Sequence, residues 1–215
     1  MTGKPQGLGN TGAEARNAPY EPLSLQDADI RYYRYFFKPE TAERYFQTLL
    51  CEVAWEQRML LVYGKRHPEP RLTAWYGDEG VTYSYSGTTR YPKPWTPLLL
   101  EIKQRVEQAA GMHYNSLLLN QYRDGKDSVS WHSDDESGLG INPSIASVSF
   151  GAVRSFHLRH RQDKQLRHKI DLAHGSLLLM QGLTQHYWHH QVPKTSRAVG
   201  PRVNLTFRFV TELKT

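Results

Sequence analysis

Cysteine is nearly absent: Cys51 is the only one in 215 residues. An internal disulfide is therefore excluded, and a reducing compartment fits. Long hydrophobic runs are missing as well. Nothing approaches 18 consecutive apolar residues, so no transmembrane helix and no membrane partner are expected. The N-terminus "MTGKPQGLGNTG" lacks the apolar core of a signal peptide, which argues against secretion. No low-complexity block and no repeat of 20–50 residues is visible. The charge imbalance is mild. Lys and Arg number 27 against 21 Asp and Glu, a formal net charge of +6. Such a surface draws nucleic acid or an anionic membrane electrostatically, but composition alone does not select a partner.

What is present is a foldable chain. It is 39% apolar and 12% aromatic, enough for one sizeable core rather than a disordered polymer. Residues 1–22 are rich in Gly, Asn and Pro and read as a flexible tail, with a single domain over 23–215. "ETAERYFQTLLCEVAW" predicts a helix with Tyr45, Leu49 and Val53 as its buried stripe. A second helix is better marked. Thr96 suits the N-cap, Pro97 the first turn and Gly111 the position past the end, with Leu99, Ile102, Val106 and Ala109 on one face.

From about residue 114 the texture changes to short β-rich runs such as "YNSLLLNQY", "SIASVSF", "GSLLLMQG" and "RVNLTFRFV". The spacing leaves no room for crossover helices. The expected fold is mostly β with N-terminal helices, two of which back a C-terminal sandwich.

Chemistry concentrates in "VSWHSDDE", residues 129–136. In an extended strand His132 and Asp134 face the same way. An imidazole and a carboxylate supply two legs of the two-histidine, one-carboxylate set that holds non-haem Fe(II) with positions left open. Taken alone, this string is better read as a solvated acidic turn. A third ligand has to come from elsewhere. In "HYWHHQV", Trp188, His190 and Val192 share the apolar face, so His190 is the candidate; His186 and His189 read as a polar edge.

In "RVNLTFRFV", Arg202, Asn204, Thr206 and Arg208 line one face of a strand and Val203, Leu205, Phe207 and Phe209 the other. An exposed edge would explain this. So would a clamp for a small dianion, because guanidinium pairs with carboxylate through two parallel hydrogen bonds. The backbones of Arg202 and Arg208 stand roughly 20 Å apart in a straight strand. Their side chains must converge, or the strand must coil, to serve one small molecule. Asn120 and Tyr122 share a face and offer it neutral hydrogen bonds.

Together these pieces resemble the AlkB family of Fe(II)- and 2-oxoglutarate-dependent dioxygenases. The matching elements are "NQYRDG" at 120–125, "WHSDDE" at 131–136, "SIASVSFG" at 144–151, "LAHGSLLLMQG" at 172–182, His190 and "PRVNLTFR" at 201–208. They stand in the family's order over roughly residues 60–210. "YGDEGVTYSYSG" and "PKPW" look most like the branch of duplex-DNA repair demethylases. The resemblance implies a double-stranded β-helix, or jelly roll, with 60–90 as a nucleotide-recognition lid and 114–210 as the catalytic β-core. It implies Fe(II) on His132, Asp134 and His190, with 2-oxoglutarate and O₂ as co-substrates. Arg202 would pair with the distal carboxylate of 2-oxoglutarate and Arg208 would lie near the metal-bound one. Asn120, Tyr122, Asn204 and Thr206 would complete the pocket. The implied reaction is oxidative demethylation of 1-methyladenine and 3-methylcytosine with release of formaldehyde. Implied partners are alkylated DNA, single- or double-stranded, with RNA as an alternative, bound by a monomer. A dioxygenase acting on RNA, protein or a small molecule is the rival reading.

The resemblance extends to the substrate. Tyr85 would stack on the extruded base opposite His132, Tyr83 would line the pocket, and Glu136 would meet the cationic lesion. Val62, Tyr63 and Gly64 occupy the place of a finger that fills the gap left by that base, with Lys65, Arg66 and Arg71 set for phosphates. One departure stands out. Relatives acting on duplexes carry a basic run after the second iron histidine, whereas "VPKTSRAV" has only Lys194 and Arg197. That shifts the expectation towards single strands.

Overall fold

The computed structural model describes residues 19–62, 64–85 and 88–211, with backbone alone at 62, 83–85 and 88–90. Strands β1 (Glu21–Pro22) and β2 (Asp29–Tyr33) lead into helix α1 (Pro39–Glu52). Hairpin β3 (Met59–Val62) and β4 (Lys65–Pro68), strand β5 (Leu72–Gly77) and hairpin β6 (Tyr83–Tyr85) and β7 (Thr88–Arg90) follow. After helix α2 (Pro97–Ala110) come β8 (Ser116–Tyr122), β9 (Val129–His132), β10 (Ile145–Gly151) and β11 (Arg154–His160). The chain closes with β12 (Arg167–Leu172), β13 (Ser176–Gln181), the short helix α3 (Thr184–Tyr187), β14 (Trp188–Val192) and β15 (Arg202–Arg208).

Most of the expected tail, residues 1–18, lies outside the described residues. Its last two positions form β1, paired with Tyr32 and Arg31. Helix α1 stops one residue before Val53, which turns into an extended cap, so the buried stripe is Ala42, Tyr45, Phe46 and Leu49. Helix α2 forms where its signals place it. The Thr96 side chain accepts from the Leu99 N–H, and Gly111 ends the helix at φ 65°, a left-handed conformation open to glycine.

Two antiparallel sheets face each other. The larger has the order β1-β2-β13-β10-β15-β8-β5 and the smaller β12-β11-β14-β9. This is the sandwich expected from the strand pattern, and it agrees with the jelly roll that the family resemblance implies. Period-2 alternation sorts the larger sheet's side chains between two cores. Ala146, Val148, Phe150, Leu205 and Phe207 pack with both helices on one side. Tyr122, Ile145, Leu178 and Met180 meet Phe156, Leu158, Trp188 and Val192 of the smaller sheet on the other. The close helix–sheet contact explains Gly151. Its φ is +83°, and a Cβ there would stand 2.5 Å from the Phe46 ring. Strand β15 lies between β10 and β8. Its polar face is therefore not an exposed edge but points between the sheets, where every polar group needs a partner.

Candidate metal centre and anion pocket

The register sets up the metal site. His132 ends β9 and pairs directly with His190 on β14, their ring centroids 4.3 Å apart. His190 sits inward with Trp188 and Val192, as the alternation indicated, and stacks on Phe156 at 5.1 Å. Asp134 comes to the pair by a different route from the one expected. Strand β9 stops at His132, and a bend rather than strand alternation returns Asp134 to the histidines. Its backbone N–H donates to the Gln185 side chain at 3.0 Å, and both residues are buried. One donor atom from each of His132, Asp134 and His190 lies within 4.8 Å of the others.

The protonation states suit a cation. Burial opposes charge on Asp134, but Arg208, His190 and His132 overcome it and hold the carboxyl below its usual range. Burial pushes His190 down to about 3, with His132 adding to the effect, so its ring is neutral and free to ligate although Asp134 lies 3.7 Å away. The His132 Nδ1 sits 2.8 Å from the Ser130 carbonyl. That contact makes Nδ1 the donor and leaves Nε2 as the ligand atom. The two oxygens of Asp134 divide the work. Oδ1 takes the Arg208 guanidinium at 2.5 Å, and Oδ2 faces His190 Nε2. Two imidazoles and one carboxylate in this arrangement fit Fe(II).

Gln185 had no signal in the sequence, because its partner is 51 residues away. Gln185→Leu should weaken metal binding roughly 10- to 100-fold, the usual effect of losing an outer partner of a ligand. Titration with Mn(II) alongside a thermal melt checks this. A melting temperature that collapses with the affinity would instead mark Gln185 as ordinary core.

A cavity of about 70 Å³ joins the metal site to Asn120, Tyr122, Arg202, Asn204, Thr206 and Arg208. Arg208 bonds Asp134, whereas Arg202 bonds Ser149 Oγ at 2.9 Å and lies 5.0 Å from the Tyr122 ring. The two arginines thus serve different parts of one cavity and need not converge. Asn204 and Thr206 are tied into the sheet: Asn204 donates to Ser147 and to the Val148 carbonyl, and Thr206 donates to Asn204. The arginines differ: Arg208 keeps one unpaired donor, Nε, and Arg202 keeps two. Arg202 is 1% exposed, and its Nε and Nη1 have no hydrogen-bond acceptor among the described residues. Burial pushes its pKa down. A buried guanidinium that lines the cavity and keeps two unpaired donors fits a carboxylate entering it.

Other residues fall elsewhere. Arg71, expected at phosphates, lines the cavity instead and donates to Asn120 Oδ1 at 2.9 Å. Asp135 pairs with Arg161 at 2.8 Å, and Glu136 is exposed. His186 ties the Ile141 carbonyl and Asn142. Lys65 and Arg66 are exposed on β4, where Lys65 pairs with Val62 and Arg66 with the exposed Leu61 of β3. Tyr63 lies outside the described residues, as do the side chains of Val62, Tyr83 and Tyr85.

The facing antiparallel sheets and the His–Asp–His cluster define a non-haem iron oxygenase centre. The 2OG-Fe(II) oxygenase superfamily matches residues 29–208. Alpha-ketoglutarate-dependent dioxygenase alkB homolog 3 of Mus musculus is 46% identical over 207 residues, 91% of this chain and 71% of that protein. DNA oxidative demethylase ALKBH2 of Homo sapiens is 40% identical over 207 residues, 92% and 79% respectively. The solved structure of OsALKBH1 covers 89% of this chain with a TM-score of 0.60 at 15% identity, a likeness of fold alone. The chain belongs to the AlkB family within the 2OG-Fe(II) oxygenase superfamily. Its cofactor is Fe(II), and its co-substrates are 2-oxoglutarate and O₂.

Proposed function

We propose that this chain is an oxidative demethylase that repairs N-methylated bases in DNA, with 1-methyladenine and 3-methylcytosine as substrates. The observation that carries the reading is one cavity holding both the His132–Asp134–His190 set and the orphaned donors of Arg202. What supports DNA as the target is the similarity to a protein named as a DNA oxidative demethylase over 92% of this chain.

In this reading His132 Nε2, Asp134 Oδ2 and His190 hold the iron. Arg202 takes the distal carboxylate of 2-oxoglutarate, with Asn120 and Tyr122 on the same wall. Arg208 orients Asp134 through Oδ1, and Arg71 fixes the Asn120 amide. Iron held in this site would, with 2-oxoglutarate and O₂, supply the oxidising power that hydroxylates the N-methyl carbon, with succinate and CO₂ as by-products. The hydroxymethyl group then leaves as formaldehyde and the base is restored. The protein's share is to place the methyl group and exclude water. Tyr85 stacks on the extruded base, Tyr83 lines its pocket and Glu136 faces its positive charge. The enzyme works as a monomer.

The hairpin of β3 and β4 meets the nucleic acid. Its support is the pairing of apolar Leu61, 72% exposed, with cationic Arg66, next to the exposed Lys65. Such a tip can enter a base stack and hold phosphates. Tyr63→Ala should reduce repair of a duplex lesion several-fold more than repair of the same lesion in a single strand. Equal losses on both would remove the finger from the account. Succinate formation stimulated by a methylated oligonucleotide, and lost when Fe(II) is omitted, tests the activity as a whole.

A further inference from the structure

Arg154, the first residue of β11, is 3% exposed and plays no part in the reaction described so far. Its guanidinium donates to three backbone carbonyls. Nη1 reaches Asp124 at 3.0 Å, and Nη2 reaches Asp127 at 2.8 Å and Pro193 at 2.7 Å. It also lies 5.6 Å from the Tyr122 ring, the same ring that Arg202 approaches at 5.0 Å.

The three carbonyls belong to segments that frame the site. The Asp124 and Asp127 carbonyls lie in the turn between β8, which ends at Tyr122, and β9, which ends at His132. Pro193 follows β14, which carries His190. The turn is closed on its own side by Arg123, whose guanidinium holds both oxygens of Asp127. It is then fastened to the segment after β14 by the Thr195 N–H on the Gly125 carbonyl at 2.8 Å. The two segments approach so closely that a Cβ on Gly125 would collide with Thr195. A solvated loop needs none of this. A buried cation is costly unless fully hydrogen-bonded, and Arg's planar fork suits several acceptors at once.

We propose that Arg154 is a positioning residue for the co-substrate: it locks the 123–127 turn to the end of β14 and so fixes Tyr122 against Arg202. The inference rests on the assignment of Tyr122 and Arg202 to 2-oxoglutarate. Arg154 does not line the cavity, so its loss acts on the shape of one wall of the pocket through Tyr122. The metal ligands keep their own supports in Gln185, Ser130 and the β9–β14 pairing.

The test measures binding of 2-oxoglutarate to the Mn(II)-loaded protein by calorimetry, together with steady-state kinetics on the Fe(II) enzyme. Arg154→Ala should weaken 2-oxoglutarate at least tenfold and raise its KM to match. Mn(II) affinity and kcat at saturating 2-oxoglutarate should change less than twofold. Arg154→Lys, which keeps the charge but not the fork, should recover only part of the affinity. Unchanged 2-oxoglutarate affinity, or a parallel loss of metal binding, would overturn the proposal. Arg202→Ala is the control: if it too leaves 2-oxoglutarate unaffected, the pocket assignment fails rather than Arg154's role. The coupling must also run in reverse. In the wild type, adding 2-oxoglutarate to the Mn(II) protein should slow amide exchange over residues 123–128. Unaltered exchange there overturns the proposal even if the variants do not fold.

Discussion

Asp134→Ala should give a protein that neither holds iron nor turns over 2-oxoglutarate. Asp134 provides the single negative charge among the three ligands, and the cavity around it already contains Arg208. Removing it leaves two imidazoles and a guanidinium facing a divalent cation. Metal binding should become undetectable at micromolar metal, and activity should fall to background. The variant also strips Arg208 of its partner. Breaking a buried ion pair from one side costs about 3–5 kcal/mol, and the low end applies because Arg208 is 19% exposed on its side chain. Asp134→Asn separates the two effects. Its amide oxygen can still accept from Arg208, so the fold should hold while iron binding is lost. Titration with Mn(II) and a thermal melt on both variants would read this. Wild-type-like turnover in either removes Asp134 from the metal site.

Arg202→Met should produce the opposite pattern in the co-substrate pocket: weaker 2-oxoglutarate binding without a less stable protein. A charge-assisted hydrogen bond contributes about 1.5–3 kcal/mol, so losing the carboxylate clamp weakens 2-oxoglutarate by roughly 10- to 100-fold. Yet in the absence of co-substrate the same guanidinium is buried with two donors unpaired. Replacing a poorly compensated buried cation by an apolar side chain of similar length is neutral or stabilising. The melting temperature without 2-oxoglutarate should therefore stay level or rise, and the stabilisation normally gained from 2-oxoglutarate should vanish. A large drop in stability without co-substrate would mean that Arg202 is a structural cation already satisfied by Ser149.

The sequence carried the site further than the details that support it. Alternation alone distinguished His190 from His189, since the apolar flanks Trp188 and Val192 declare the inward face. The strand pattern "RVNLTFR" likewise sorted Arg202 from Val203. It could not say that β15 lies at the centre of a sheet, which turns an ordinary half-polar strand into a buried polar wall. Neither could it give the bend at Asp134, because the strand's end depends on Gln185, far along the chain. Arg71 was placed at phosphates because its position beside a basic hairpin was visible. Its approach to Asn120 arises from the long-range pairing of β5 with β8 and was not. Arg154 did leave a trace. It shares the inward face of β11 with Phe156 and Leu158, and a cation in that register asks for buried partners. Asp135, the neighbour of the metal aspartate, is engaged away from the site in its pairing with Arg161.

The central claim is tested most directly by formaldehyde released from an oligonucleotide with one 1-methyladenine or one 3-methylcytosine. The purified chain, Fe(II), 2-oxoglutarate and O₂ should release one formaldehyde and one succinate per base restored. An unmethylated oligonucleotide, or omission of Fe(II) or 2-oxoglutarate, should release no formaldehyde. Succinate formed without formaldehyde, at the same rate with and without the lesion, would contradict the assignment to DNA repair.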